Sequence, residues 1–211
     1  MRNGSLAATG VVLFLALGTM NHATSPAGKA LAKEPRYTAD GQLIRPDDYR
    51  TWVFAGANLG LRYAEGAATP QRERDRNQDD ETGDFHNIYI NAEAYAHYGK
   101  TGKFPDGTVL VMDVYTALAK EPQNIVDHGH FPGAQDGFEV AVKNSKRPDG
   151  SSTVWAYYLF DGPGGKLLST AKAQPNKTCY ECHKQHAADD NVWVQFYPTL
   201  RAATQRKPAA R

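Results

Sequence analysis

Hydrophobic and polar residues alternate in short runs separated by turn residues. In FHNIYI, Phe85, Asn87 and Tyr89 alternate with His86, Ile88 and Ile90, the period-two signature of a strand. TVLVMDVY (108–115) is rich in β-branched residues and predicts a second strand. FEVAVKNS (138–145) predicts a third, with Glu139, Ala141 and Lys143 on one face and Phe138, Val140 and Val142 on the other. VWAYYLF (154–160) is the fourth, and PDG (105–107), RPDGSS (147–152) and GPGG (162–165) are turns. The Gly, Pro and His residues of 128–137 read as a loop, and the charged stretch 65–84 as a surface loop.

Three segments predict helices. In RPDDYRTWVFAGANLG (45–60), Pro46, Asp47 and Asp48 are suited to a helix start; Trp52 and Val53 would face the core, and Gly56 to Gly60 would end the element. AEAYAHYGK (92–100) predicts a short helix closed by Gly99, and a third helix is expected over 179–188, ahead of WVQFYPTLR and a polar tail. Strands joined by turns, with helices at both ends, indicate an α+β domain built on an antiparallel sheet.

The chain opens with Met1-Arg2-Asn3 and the apolar run SLAATGVVLFLALGTM, followed by small residues near Ala23 and Ala27. This is the pattern of a secretory signal peptide, and the run is shorter than the roughly 20 residues of a membrane span. The expected organisation is a signal and cleavage region over 1–27, a flexible lead-in over 28–39, one domain over 40–205 and a tail over 206–211, exported to a bacterial periplasm. With 24 Lys and Arg against 23 Asp and Glu, the formal net charge of +1 argues against nucleic acid or an anionic membrane as the main partner.

The chain has 2 cysteines, both in CYECH (179–183). Four chemistries use such residues. A disulfide would be strained at this spacing, and a thioredoxin-type dithiol belongs early in a βαβ unit. A zinc site would need four ligands, here Cys179, Cys182, His183 and His186 packed into eight residues. The haem reading accounts for all three motif residues: Cys179 and Cys182 reach the two vinyl groups, and His183 is the proximal iron ligand. The motif therefore predicts one covalent haem c.

FHNIYIN, TGKFPDGTVLVMD, GFEVAVKNSKRP, WAYYLF, CYECH and VWVQFYPTLRAA, in this order from about Asp40 to Ala203, together resemble the cytochrome P-460 family. The resemblance implies a curved antiparallel sheet with flanking helices, one covalent c-type haem and a homodimer. Enzymatic members oxidise hydroxylamine, and the related cytochromes c′-beta bind nitric oxide. The enzymes use a lysine that bonds to the porphyrin edge; the matching position here is Met112. Lys103 and Lys120 lie in expected loops, and Lys143 would need a different attachment geometry. The family's distal carboxylate matches Glu139, beside the small Ala141.

Three functions follow as expectations. One is a haem protein binding nitric oxide or a similar nitrogenous ligand. The second is a hydroxylamine oxidoreductase delivering electrons to a soluble cytochrome. The third is an electron carrier with Met112 on the iron, although Met112 also fits a core contact at the haem edge. Phe131, Phe138, Trp155 and Tyr197 are candidate pocket aromatics, and Tyr197-Pro198 belongs to the family's closing motif. His128 and His130 flank a glycine in a segment able to cover the pocket. His86 and His97 are expected to be structural, and His186 to lie on the surface.

Overall fold

A computed structural model of the chain describes Met1 and residues 35–63, 82–119 and 128–205. The expectations for the signal region, most of the charged loop, Lys120 and the tail 206–211 lie outside the described residues. Of the lead-in, residues 35–39 are described, and Tyr37 there bridges to Leu43.

The architecture is α+β. Five strands, β2 (Val53–Leu59), β3 (Asp84–Ile90), β4 (Val109–Ala119), β5 (His130–Lys143) and β6 (Trp155–Leu159), form one antiparallel sheet in the order of the chain. A small ribbon pairs β1 (Leu43–Ile44) with β7 (Thr170–Ala171). Helices α1 (Ala92–Thr101), α2 (Tyr180–His186) and α3 (Pro198–Gln205) complete the domain.

Alternation within the strands gives the sheet two buried faces. Val109, Val111, Phe138, Val140, Val142, Ala156 and Tyr158 pack with Leu43, Tyr49, Phe160 and Ala171. Ile88, Ile90, Leu110, Trp155 and Tyr157 face the other way and pack with Ala94 and Tyr98 of α1 and Leu200 and Ala203 of α3. A carboxylate, Asp113, is buried on the first face, where it accepts hydrogen bonds from the hydroxyls of Tyr49 and Tyr115 and the amide of Gln135. Those donors offset the cost of removing the charge from water and fasten the turn at Tyr49 to the sheet.

Three local expectations need correction. The segment after Pro46 is not a long helix. A 3-10 turn over Tyr49–Thr51 ends at Trp52 in extended conformation, and the chain continues as β2. A register shift between Phe54 and Gly56 breaks the alternation that would have revealed this strand. Gly56 does not end an element; a Cβ there would lie 3.0 Å from Cδ of Pro198 and 3.3 Å from Cα of Tyr197. The glycine allows the two backbones to approach.

The expected loop at 128–137 is mostly the first part of β5, paired with Tyr115–Ala119 through register shifts. Strand β6 pairs only with Glu139–Lys143, so among the described residues this part of β5 is an edge, where Pro132 and Gly133 cost no ladder to a neighbour on that side. Lastly, α1 closes at Gly102, which adopts φ 69° and donates its N–H to the Tyr98 carbonyl at 2.7 Å. Gly99 lies inside the helix, where a Cβ would sit 3.7 Å from that of Ala203.

Candidate haem site

CYECH opens α2, and its spacing explains the arrangement. Cys179 precedes the first helical residue, Cys182 lies three positions later and His183 four, so all three share one helical face. The helical bond from the His183 N–H to the Cys179 carbonyl measures 3.0 Å.

Against this face lies a cavity of about 300 Å³. The three motif residues line it on one side, and the sheet supplies Met112, Glu139, Ala141 and Tyr157. Register gives the reason: Ile88, Met112, Glu139 and Leu159 form one row across β3, β4, β5 and β6. All five candidate site residues, Met112, Glu139, Cys179, Cys182 and His183, thus meet at one cavity. Asn58, Leu61, Arg62 and Tyr63, at and beyond the end of β2, add a wall that the sequence did not reveal.

His183 is the most constrained of these groups. Its Nδ1 lies 2.9 Å from the Asn191 carbonyl, which can only accept, so Nδ1 carries the proton. Nε2 then carries the lone pair and accepts the indole N–H of Trp193 at 3.2 Å. The Tyr157 ring packs against the imidazole with centroids 4.3 Å apart. Burial pushes the His183 pKa down to about 4, partly countered by the Asn191 carbonyl, so the ring is neutral near pH 7. A neutral imidazole with a fixed tautomer is the form that binds a metal.

The Asn191 carbonyl is presented by a turn over residues 189–192, in which the Val192 N–H bonds to the Asp189 carbonyl at 2.8 Å. Its two central residues, Asp190 at φ 43° and Asn191 at φ 62°, are left-handed. Asp and Asn tolerate this region best among residues with a side chain. Asp190 is held from both sides, by Lys143 Nζ at 2.7 Å and by the Trp155 indole N–H at 3.1 Å. Lys143 also donates to the Phe104 carbonyl at 2.8 Å.

Cys179 and Cys182 are thiols rather than a disulfide. Burial pushes the Cys182 thiol up, opposite to the activated thiolate of a redox dithiol. Among the described residues, no group of three or more His, Cys, Asp and Glu is placed to hold a metal ion, so the four-ligand zinc set does not converge. The residues fit a haem: two free thiols and an imidazole lone pair border a cavity that is otherwise largely apolar.

Of the other candidates, Tyr197 lines the cavity. Phe138 is buried on the opposite sheet face, Trp155 bonds to Asp190, and Phe131 is exposed. His128 and His130 are exposed and are not among the lining residues. His86 is buried with Nδ1 2.9 Å from the Asn58 amide oxygen. His97 is exposed, as is His186, which stacks on Trp193.

No curated protein matches the chain. Residues 46–194 match the model of the family described as Cytochrome P460, more than half of the 211 residues. The matched region includes Met112, Glu139 and the whole of CYECH, and the family implies haem binding. The chain belongs to the cytochrome P460 family.

Proposed function

We propose that this protein is an exported mono-haem c-type cytochrome that binds or redox-processes a small nitrogenous ligand of the nitric oxide or hydroxylamine class. The observation that carries the reading is the convergence of Cys179, Cys182 and His183 with Met112 and Glu139 on a single cavity. Haem, when bound, supplies an iron that takes up a small ligand and exchanges one electron.

The chain's own groups divide the remaining work. Cys179 and Cys182 hold the haem through thioethers, and His183 offers Nε2 to the iron. The Asn191 carbonyl fixes the tautomer that makes this possible. Glu139 gives a proton to, or takes one from, a nitrogenous ligand at the cavity, and the small Ala141 on the same strand face leaves room for it. Met112 stands where the resemblance expects the cross-linking lysine, and among the described residues no lysine lines the cavity. Lys143, the alternative by sequence, is engaged by Asp190 and Phe104. These facts favour ligand binding over hydroxylamine oxidation of the cross-linked type. A periplasmic location, a homodimer and a soluble cytochrome as electron partner complete the proposal.

The absorption spectrum of the haem-loaded protein, oxidised and then reduced, tests it. An ordinary high-spin c-type spectrum is expected. A strongly red-shifted reduced Soret band would bring the hydroxylamine oxidoreductase forward, and a sharp low-spin spectrum would indicate Met112 on the iron and electron transfer. If Cys179→Ala still carries haem attached as in the unaltered chain, the anchor assignment is wrong.

A further inference from the structure

We propose that Lys143 and Asp190 are positioning residues for His183. Their ion pair, with the Trp155 indole N–H, clamps the 189–192 turn and so holds the Asn191 carbonyl on the imidazole. The inference rests on the haem reading above and extends it to groups outside the cavity.

Four observations carry it. The turn has two consecutive left-handed residues with side chains, a conformation that persists only where surrounding contacts determine it. Asp190 has both carboxylate oxygens engaged, Oδ2 by Lys143 at 2.7 Å and Oδ1 by Trp155 at 3.1 Å. Lys143 is itself fixed by the Phe104 carbonyl, and its side chain is only 19% exposed, so the clamp is anchored in the sheet. Finally, the Asn191 carbonyl delivered by the turn accepts from Nδ1 of His183 at 2.9 Å and from the Tyr157 hydroxyl at 3.3 Å.

The consequence is chemical. A firm Nδ1–H···O=C bond makes the imidazole a stronger electron donor and favours the ferric state. Releasing the turn lengthens that bond, weakens donation and raises the reduction potential.

The test is Lys143→Met in the haem-loaded protein, read by the midpoint potential and by the iron–imidazole stretching band of the ferrous form. Outer partners of metal-bound histidines change affinity ten- to hundredfold. A tenfold shift in the ferric-to-ferrous ratio, roughly 59 mV for one electron, is therefore expected. The potential should rise and the band move to lower frequency, with Lys143→Arg recovering most of both. An unchanged potential and band, with only the melting temperature lowered, would reduce the clamp to a structural role and overturn the inference. Should Lys143→Met not accumulate, Trp155→Phe removes the indole donor along with part of a fully buried ring, and the same two readouts must move in the same direction or the inference fails. Absence of covalent haem from the unaltered chain would instead overturn the haem reading and this inference with it.

Discussion

Met112 and Glu139 stand directly opposite one another across the β4–β5 ladder, on the sheet face that lines the cavity. A thioether and a carboxylate are therefore immediate neighbours at the position where the resemblance leads one to expect an amine. Met112 is partly buried and packs against the core that includes Leu110 and Tyr157, as a residue filling the cavity wall would. Met112→Leu should cost less than about 1.5 kcal/mol, as volume-conserving exchanges do. It should leave the reduced absorption spectrum unchanged. A change from low-spin to high-spin on this substitution would mean that the sulfur binds the iron.

Glu139→Gln keeps the shape of the side chain and removes its capacity to exchange a proton. Positioned acid–base groups contribute about 10²–10⁴-fold to a proton-transfer step. Turnover of hydroxylamine, where present, should fall by at least about 100-fold, while nitric oxide binding changes by only a few-fold. Stopped-flow measurements across a pH series separate the two. Superimposable pH profiles for variant and unaltered chain would remove Glu139 from the mechanism.

Trp193 and an iron atom compete for one lone pair. The indole N–H donates to Nε2 of His183, the atom that haem loading would claim. Trp193→Phe should destabilise the haem-free chain by about 1 kcal/mol, the value of an ordinary hydrogen bond. The haem-loaded protein should lose much less, because there the bond is already broken. Paired thermal melts of the two forms measure this difference; equal losses in both would show that the indole matters only through packing.

Asp149 makes stability pH-dependent. Burial acts to raise its carboxyl, but the Arg147 guanidinium and the Ser151 amide outweigh burial and hold it below the ordinary value of 3.8. Its folded pKa lies below its unfolded pKa, so its stabilising contribution is complete above about pH 4 and is lost as pH falls through the lower, folded value. Asp149→Asn should be less stable than the unaltered chain at pH 7, and the difference should shrink below about pH 4. Urea unfolding at the two pH values checks the sign.

Gly56 is where β2 meets the closing segment. Gly56→Val should cost about 1–3 kcal/mol by overpacking, since Pro198 and the Tyr197 backbone leave no room for a side chain. Because Tyr197 also lines the cavity, the variant should retain haem less firmly. Thermal melts together with haem content after gel filtration measure both effects.

The strands that were legible in the sequence are β3 and the second half of β5, through uninterrupted alternation, and β4 and β6, as apolar runs of β-branched and aromatic residues bounded by turn residues. The motif face of α2 was legible as well, because positions i, i+3 and i+4 of CYECH are fixed by helical geometry. Strand β2 was hidden twice, by the helix-start residues Pro46 to Asp48 and by the irregularity between Phe54 and Gly56. The first half of β5 was hidden because an edge strand tolerates the Gly and Pro that otherwise mark a loop. At the site, the pattern gave Lys143 its correct face but not its partner. Asp190 lies 47 positions away, and no local pattern encodes that pairing. The same holds for the Trp193 bond to His183 and for the wall from Asn58 to Tyr63, which depend on how the ends of the domain close over the sheet.

The order of the five strands in the sheet is their order along the chain. In a chain that emerges from its N-terminal end, each strand finds its neighbour already present, and no pairing in this sheet has to wait for a distant segment. CYECH, the 189–192 turn and α3 all follow β6. The wall carrying Met112 and Glu139 is therefore synthesised before the thiols that face it. On the proposed reading, attachment of the haem would belong to the closing stage of maturation, when the last quarter of the chain folds down onto a surface made earlier.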